Sequence, residues 1–266
     1  MSANTRIDKL FSVLGLMSRS ECKKAVKQGK IAVNGVPCRS SDDKCDPDSD
    51  EISLDGVKVD TRLTVYYMMN KPAGVITAAD DPRCRTVMDF VEDGRADLAP
   101  VGRLDKDTTG FLLITNDGQL NHRLLSPRYH VPKTYLVLID GVLTEQDIKR
   151  LENGLDIGDD KPTLPAVVEI PGEDGLSGRA GENGLPKALE NGLGTSVPVN
   201  CQLVKLTITE GRFHQVKRMF EAVGKPVILL HRQSFGPIDL DPALEEGHLR
   251  ELKEDELKKL MDCANS

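Results

Sequence analysis

A turn carrying Arg103, Asp105, Asp107, Thr108 and Thr109 runs into Gly110 and then into the apolar Phe111-Leu112-Leu113-Ile114. The apolar run reads as a buried strand closed by the turn signal Asn116-Asp117-Gly118. Such a layout holds a carboxylate at the lip of a core, where it can serve as a nucleophile or a general base. The bland alternative for Asp105 is a turn carboxylate that accepts backbone N–H bonds, the commoner fate of an isolated loop aspartate. A second stretch with chemical side chains runs from Glu210 to Gly224 and contains Arg212, His214, Gln215, Lys217 and Arg218. Its apolar Val216, Met219, Phe220 and Val223 lie three and four apart, which predicts a helix with Lys217 at the edge of the buried face. No second ligand stands three or four residues from His214, so no metal site is expected there. Tyr135 heads an apolar strand over 133–139; on pattern alone it is a core aromatic with its hydroxyl at the surface.

The elements that position these residues are legible along the chain. Ile7, Leu10, Phe11 and Leu14 recur at helical spacing, Gly15 and Ser18 interrupt them, and Cys22, Ala25 and Val26 resume the pattern, so two short helices are predicted. Ser18 caps the second, with Glu21 in capping-box position. Lys23, Lys27 and Lys30 fall on one face of that helix and its exit. Ile31-Ala32-Val33 and the residues from Val36 form a hairpin across Asn34-Gly35. A polar joint at Asp60-Thr61-Arg62-Leu63 precedes a strand at 65–69, and Asn70-Lys71-Pro72-Ala73-Gly74 reads as a tight turn. Leu120–Leu125 reads as a helix ended by Ser126-Pro127, and 201–208 and 227–232 as strands. Residues 172–198 hold seven glycines and no periodicity, which suggests a long surface loop. The charged stretch from Glu245 to Leu260 is expected to be a surface segment and a last helix.

The 266 residues, 39% hydrophobic and 29% charged, describe a globular protein of one large domain or two smaller ones, with no apolar run long enough to span a bilayer. The N-terminal residues have no apolar signal region, so a cytoplasmic location is expected. Six cysteines stand without a Cys-x-x-Cys pair, which points to buried or incidental thiols rather than zinc or disulfides. A net charge of −7 argues alone against a nucleic-acid partner, but its distribution argues the other way. Residues 1–39 carry Arg6, Lys9, Arg19, Lys23, Lys24, Lys27, Lys30 and Arg39 against Asp8 and Glu21, while residues 40–60 are strongly acidic. That boundary suggests a small module with one basic face.

Gly102-Arg103-Leu104-Asp105, with Thr108, Gly110, Leu112-Leu113 and Thr115-Asn116-Asp117-Gly118, resembles the catalytic motif of the RsuA-type RNA pseudouridine synthases. Lys133-Thr134-Tyr135 and Gly211-Arg212-Phe213-His214-Gln215-Val216-Lys217-Arg218-Met219 are similar to two further motifs of that family, and Asn70 to Gly74 to its first, mainly structural one. Arg6 to Lys9, Ser18 to Ser20 and Gly29 to Gly35 resemble the S4-like RNA-binding domain. The resemblance runs from about Arg6 to Leu260. It implies an α+β fold: an S4-like domain over 1–62, then a mostly antiparallel catalytic domain with flanking helices over 63–266. It implies Asp105, Tyr135 and Lys217 as catalytic, Tyr135 stacking on the uracil and Lys217 pairing with Asp105. It also implies Arg6, Lys9, Arg19, Lys23, Lys27, Lys30, Arg103, Arg212, His214, Gln215 and Arg218 as RNA contacts. The compact connection usual in the family is replaced here by the glycine-rich 172–198.

The implied reaction breaks the N1–C1′ bond of a uridine in ribosomal RNA and rejoins the ring through C5, so no atom is gained or lost and no cofactor or metal is required. Motif detail favours the branch acting on small-subunit RNA, and the expected partner is ribosomal RNA or a pre-ribosomal particle, met by a monomer. The target must leave its stack, at a cost of roughly a few kcal/mol; the resemblance implies that Arg103 fills the gap, the alternative being a structural arginine bonded to turn carbonyls. Two rival classes remain: a non-catalytic RNA-binding assembly factor, which has no need of Asp105, Tyr135 and Lys217 together, and a nucleoside hydrolase, which normally uses two carboxylates.

Overall fold

The computed structural model describes residues 4–171 and 200–265. They cluster into two compact units, one of residues up to Val65 with Val91–Leu98, the other of Tyr66–Phe90 with the residues from Ala99 onward. The segment 172–198, expected to be a loop, lies outside the described residues.

In the first unit, β1 (Thr5–Arg6) leads into α1 (Ile7–Val13) and α2 (Arg19–Lys27). The expected capping box starts α2: the Ser18 hydroxyl accepts from the Glu21 N–H, and the Glu21 carboxylate accepts from the Ser18 N–H. Then come β2 (Ile31–Val33), β3 (Val36–Pro37), β4 (Lys44–Cys45), β5 (Ile52–Leu54) and β6 (Val57–Lys58). They form a sheet of order β3-β2-β5-β6, and β1 pairs with β4. The Asn34-Gly35 hairpin has both residues at positive φ, as a two-residue turn demands. Ile7, Leu10, Phe11, Cys22, Ile31 and Ile52 close a core beneath the helices. Residues 91–98, which sequence reading assigned to the larger domain, join this unit by close backbone approach. A Cβ at Gly15 would lie 1.8 Å from the Gly94 carbonyl oxygen, so only glycine fits. Arg95 adds a hydrogen bond to the Arg62 carbonyl. None of the six cysteines forms a disulfide, and burial pushes the Cys22 and Cys45 thiols up to about 11.

The second unit is built on a nine-stranded sheet. Its elements are β7 (Tyr66–Lys71), β8 (Ala99–Pro100), β9 (Thr109–Thr115), α3 (Gly118–Leu125), β10 (Lys133–Asp140), α4 (Glu145–Asn153), β11 (Val167–Glu169), β12 (Cys201–Ile208), α5 (Gln215–Ala222), β13 (Val227–Phe235), β14 (Ile238–Asp239), β15 (Leu249–Glu251) and α6 (Glu254–Cys263). The main path is β11-β12-β10-β13-β9-β7-β15, with β14 on β13 and β8 on β9. This is the mostly antiparallel α+β architecture the sequence implied. Two details differ from the sequence reading. Asp117 does more than turn the chain: its carboxylate accepts from the N–H groups of Gln119 and Leu120 and caps α3. Leu249–Glu251, expected to be surface chain, is an edge strand paired with Tyr67–Met69, and so covers β7.

The pairing of β13 with β9 is parallel and sets His231 and Arg232 opposite Thr109 and Gly110. Gly110 has φ +100°, and a Cβ there would meet the Arg232 carbonyl oxygen at 2.3 Å, so glycine is what lets the strands meet. Phe111 and Phe235 stack beneath the seam at 6.2 Å. His231 hydrogen-bonds through Nδ1 to the Thr109 hydroxyl at 2.9 Å, and burial pushes its pKa down to about 4. Between about pH 6.5 and 4 the unfolded chain therefore binds a proton at this site that the folded chain refuses, and acidification destabilises the fold. The expected loss is roughly 3 kcal/mol across that window. Urea midpoints measured against pH should fall less steeply over this range in His231→Gln than in the wild type.

Candidate active site

Asp105 sits in the loop between β8 and β9, and that loop is fixed from behind. Leu104 is held at both ends, its N–H donating to the Thr77 hydroxyl and its carbonyl accepting from it. The Gly74 N–H donates to the Lys106 carbonyl. Lys71, fully buried at the end of β7, donates its ammonium to the carbonyls of Pro72, Lys106 and Thr108 at 3.0, 3.3 and 2.8 Å. Burial pushes its pKa down to about 8 against the pull of Asp107 and Asp105. The expected turn at 70–74 is thus shorter than read, because β7 continues through Lys71 to deliver this cation. Removing it should let the Asp105 loop drift. Displacements of about 1 Å at reacting groups cost about 100-fold in rate, so Lys71→Met should lose about that much in kcat, with a lowered melting temperature. Single-turnover kinetics below that temperature check this.

Helix α5 brings the second group of side chains to the same place. Lys217 Nζ lies 3.2 Å from Asp105 Oδ2 and 2.6 Å from Asp107 Oδ1, so one ammonium joins both carboxylates. Burial pulls the Lys217 pKa down, but the bonds to Asp107 and Asp105 outweigh it and leave it raised. Desolvation pulls the Asp107 carboxyl up, and the bond and charge of Lys217 outweigh that, holding it below the usual carboxylate range. The two acids are not equivalent: the Asp105 side chain is 23% exposed and that of Asp107 73%. His214 caps nothing; it takes a left-handed backbone before α5, and its Nε2 stands 3.5 Å from Asp105 Oδ1.

Beside this cluster opens a cavity of about 1040 Å³, lined by Asp105 and His214 and also by Arg103, Tyr135, Lys133 and Arg232. Tyr135 is buried in β10, and its hydroxyl makes no hydrogen bond among the described residues. Arg103 is exposed and likewise unbonded, so the structure does not use it to hold turn carbonyls. Sequence reading passed over Arg232 and Lys133. Arg232 donates Nε to the Phe111 carbonyl at 2.7 Å, while its buried Nη2 has no partner among the described residues. Lys133 donates to the Val131 carbonyl, and burial, then the neighbouring Arg232, push its pKa down to about 8. Two buried cations without a carboxylate partner among the described residues make this wall of the cavity suited to an electron-rich ligand.

In the second unit, the expected RNA contacts Arg212, Gln215 and Arg218 are engaged internally. Arg212 donates to the carbonyls of Lys161 and Pro162 and pairs with Glu210. Arg218 donates to the carbonyls of Ile157 and Phe213, and Gln215 bridges Glu210 and the Arg212 N–H. Together they brace the entry to α5 against residues 157–164. In the first unit, Arg6 is paired with Asp8 and Asp42 and Lys30 with Asp55, whereas Lys9, Arg19, Lys23 and Lys27 are exposed and make no hydrogen bond or ion pair among the described residues. No cluster of metal-ligating side chains occurs among the described residues.

Residues 65–222 match the family described as RNA pseudouridylate synthase, and residues 5–52 match the S4 domain. The chain is 45% identical to an uncharacterized RNA pseudouridine synthase, YtzG, of Bacillus subtilis, over 96% of this chain and 98% of that protein. It is 35% identical to ribosomal large subunit pseudouridine synthase B of Bacillus subtilis, covering 98% of this chain and 97% of the relative. It is 34% identical to ribosomal small subunit pseudouridine synthase A of Escherichia coli, covering 96% and 100%. A crystal structure of a pseudouridylate synthase superposes with a TM-score of 0.61 at 36% identity, over 96% of this chain and 99% of that one. An S4 domain followed by a pseudouridylate synthase domain, with relatives matched end to end, places the chain in a single group: it belongs to the RNA pseudouridine synthases of the RsuA/RluB type.

Proposed function

We propose that this enzyme converts one uridine of small-subunit ribosomal RNA to pseudouridine, working as a monomer on the RNA or on a pre-ribosomal particle, with Asp105 as its essential carboxylate. The observation that carries the reading is the Asp105–Lys217 contact at the edge of a cavity that Tyr135 also lines. Breaking the N1–C1′ bond builds positive character on the sugar and negative character on the departing uracil. Asp105 answers the first, by attack on C1′ or by taking a proton from C2′, and both routes start from the same charged carboxylate. Arg232 and Lys133, with free donors on the cavity wall, answer the second. Tyr135 supplies the ring face for the uracil, and the unbonded Arg103 fills the gap left in the RNA stack. Lys9, Arg19, Lys23 and Lys27 hold phosphates and fix orientation without reading bases.

The large subunit is the second reading, because the relatives named for the two subunits are equally similar. Incubation of the purified protein with each unmodified ribosomal RNA, free and assembled into subunit particles, followed by nucleoside analysis, tests the proposal. Pseudouridine in small-subunit RNA is expected. Pseudouridine in large-subunit RNA alone would move the target, free uracil would mean a hydrolase, and unchanged RNA of both kinds would overturn the proposal.

A further inference from the structure

Of the ten aromatic residues in the chain, Phe213 is the one exposed among the described residues, at 77%. Single exposed apolar side chains are ordinary on protein surfaces, and exposure alone would carry nothing. The setting of this ring is not ordinary. It borders the cavity that holds Asp105. It stacks on the His214 imidazole with centroids 3.9 Å apart and planes 16° from parallel, and that imidazole reaches Asp105. The left-handed backbone at His214 turns two successive rings to the same side. The root of the ring is fixed as well: the Phe213 carbonyl accepts from Arg218 at 2.9 Å, and Gln215 and Glu210 pin the backbone on its other side. One face of Phe213 thus lies on His214 and the other is open to solvent, at a fixed place on the lip of the cavity.

We infer that Phe213 and His214 form a stacking platform for a nucleobase directly flanking the target uridine. This rests on the proposed reaction. When a uridine is turned into the cavity, the strand on either side crosses the lip, and the neighbouring base has lost its stacking partner. An open aromatic face there replaces the lost stack. Stacking accepts any base through its π face, so the platform contributes affinity and placement more than sequence choice.

Because the ring is exposed, Phe213→Ala should leave the fold intact, which melting temperature checks. On an RNA fragment carrying the target uridine, KM should rise roughly 5- to 150-fold, the equivalent of about 1–3 kcal/mol of base–aromatic stacking, with kcat within a few-fold of the wild type. Phe213→Trp should restore KM. The deciding step repeats the comparison on two RNAs, each with an abasic residue on one side of the uridine. For one of them the penalty of Phe213→Ala should vanish, because the base it served is gone. An unchanged KM, or a penalty equal on the intact RNA and on both abasic RNAs, would overturn the inference while leaving the proposed reaction standing. Absence of pseudouridine with the wild-type protein would overturn the reaction and the platform with it.

Discussion

Asp105→Asn should abolish pseudouridine formation, by about 1,000-fold or more, while RNA affinity stays within about twofold of the wild type. The substitution keeps the shape of the side chain and removes its charge. Lys71, Thr77 and Gly74 fix the loop through its backbone atoms, and the substitution leaves those bonds untouched, so the loop should stay where it is. Asp107→Asn is the internal control. Asp107 shares the same lysine, but its side chain is mostly exposed, so its loss should cost no more than about tenfold. Quantifying pseudouridine after single turnover in the two variants checks both. Residual activity of more than a few per cent in Asp105→Asn, or equal losses in the two, would mean that the carboxylate at the cavity has been misidentified.

Lys217→Met should lower kcat about 100-fold, and Lys217→Arg should recover much of that loss. In the wild type the ammonium lies between two carboxylates and separates their charges. Methionine fills the space without the cation and leaves two like charges facing one another across a partly desolvated gap. The sign of the pH effect follows. Asp107 is held below the usual carboxylate range by Lys217, so without the cation its carboxyl keeps its proton to higher pH. The acid limb of kcat/KM should therefore move to higher pH in the Met variant and stay near its wild-type place in the Arg variant. Adding Asp107→Asn to Lys217→Met should reverse part of the loss by removing one of the like charges. Coinciding acid limbs in wild type and Lys217→Met would break the assigned pairing.

Much of the fold was legible because short-range rules set it. The capping box at Ser18 and Glu21, the Asn34-Gly35 turn, the apolar run of β9 and the helical spacing of α5 depend on neighbours within a few residues, and each formed as read. What stayed hidden depends on long-range partners. Nothing in the local pattern around Lys71 says that its ammonium will meet carbonyls thirty-five and thirty-seven residues on. The parallel meeting of β9 with β13 could not be read either; Gly110 was its only local mark, and the reason for that glycine is the backbone of Arg232. Arg212 and Arg218 also have long-range partners. Basic residues beside a catalytic motif suggest RNA contacts, yet the acceptors waiting at 157–162 engage their guanidinium groups, and no pattern in that stretch announces the acceptors. Arg232 lay within a strand that was recognised, but its burial on the cavity wall beside Lys133, with Nη2 unpartnered among the described residues, is a property of the folded cavity alone.

Whether Asp105 at this cavity makes pseudouridine in ribosomal RNA is decided by sequencing carbodiimide-treated ribosomal RNA from cells that lack the protein, uncomplemented or complemented with either the wild type or Asp105→Asn. A single stop is expected in small-subunit RNA, absent without the protein, returning with the wild type and staying absent with Asp105→Asn. The same stop in all three RNAs, or its return with Asp105→Asn, would contradict that assignment.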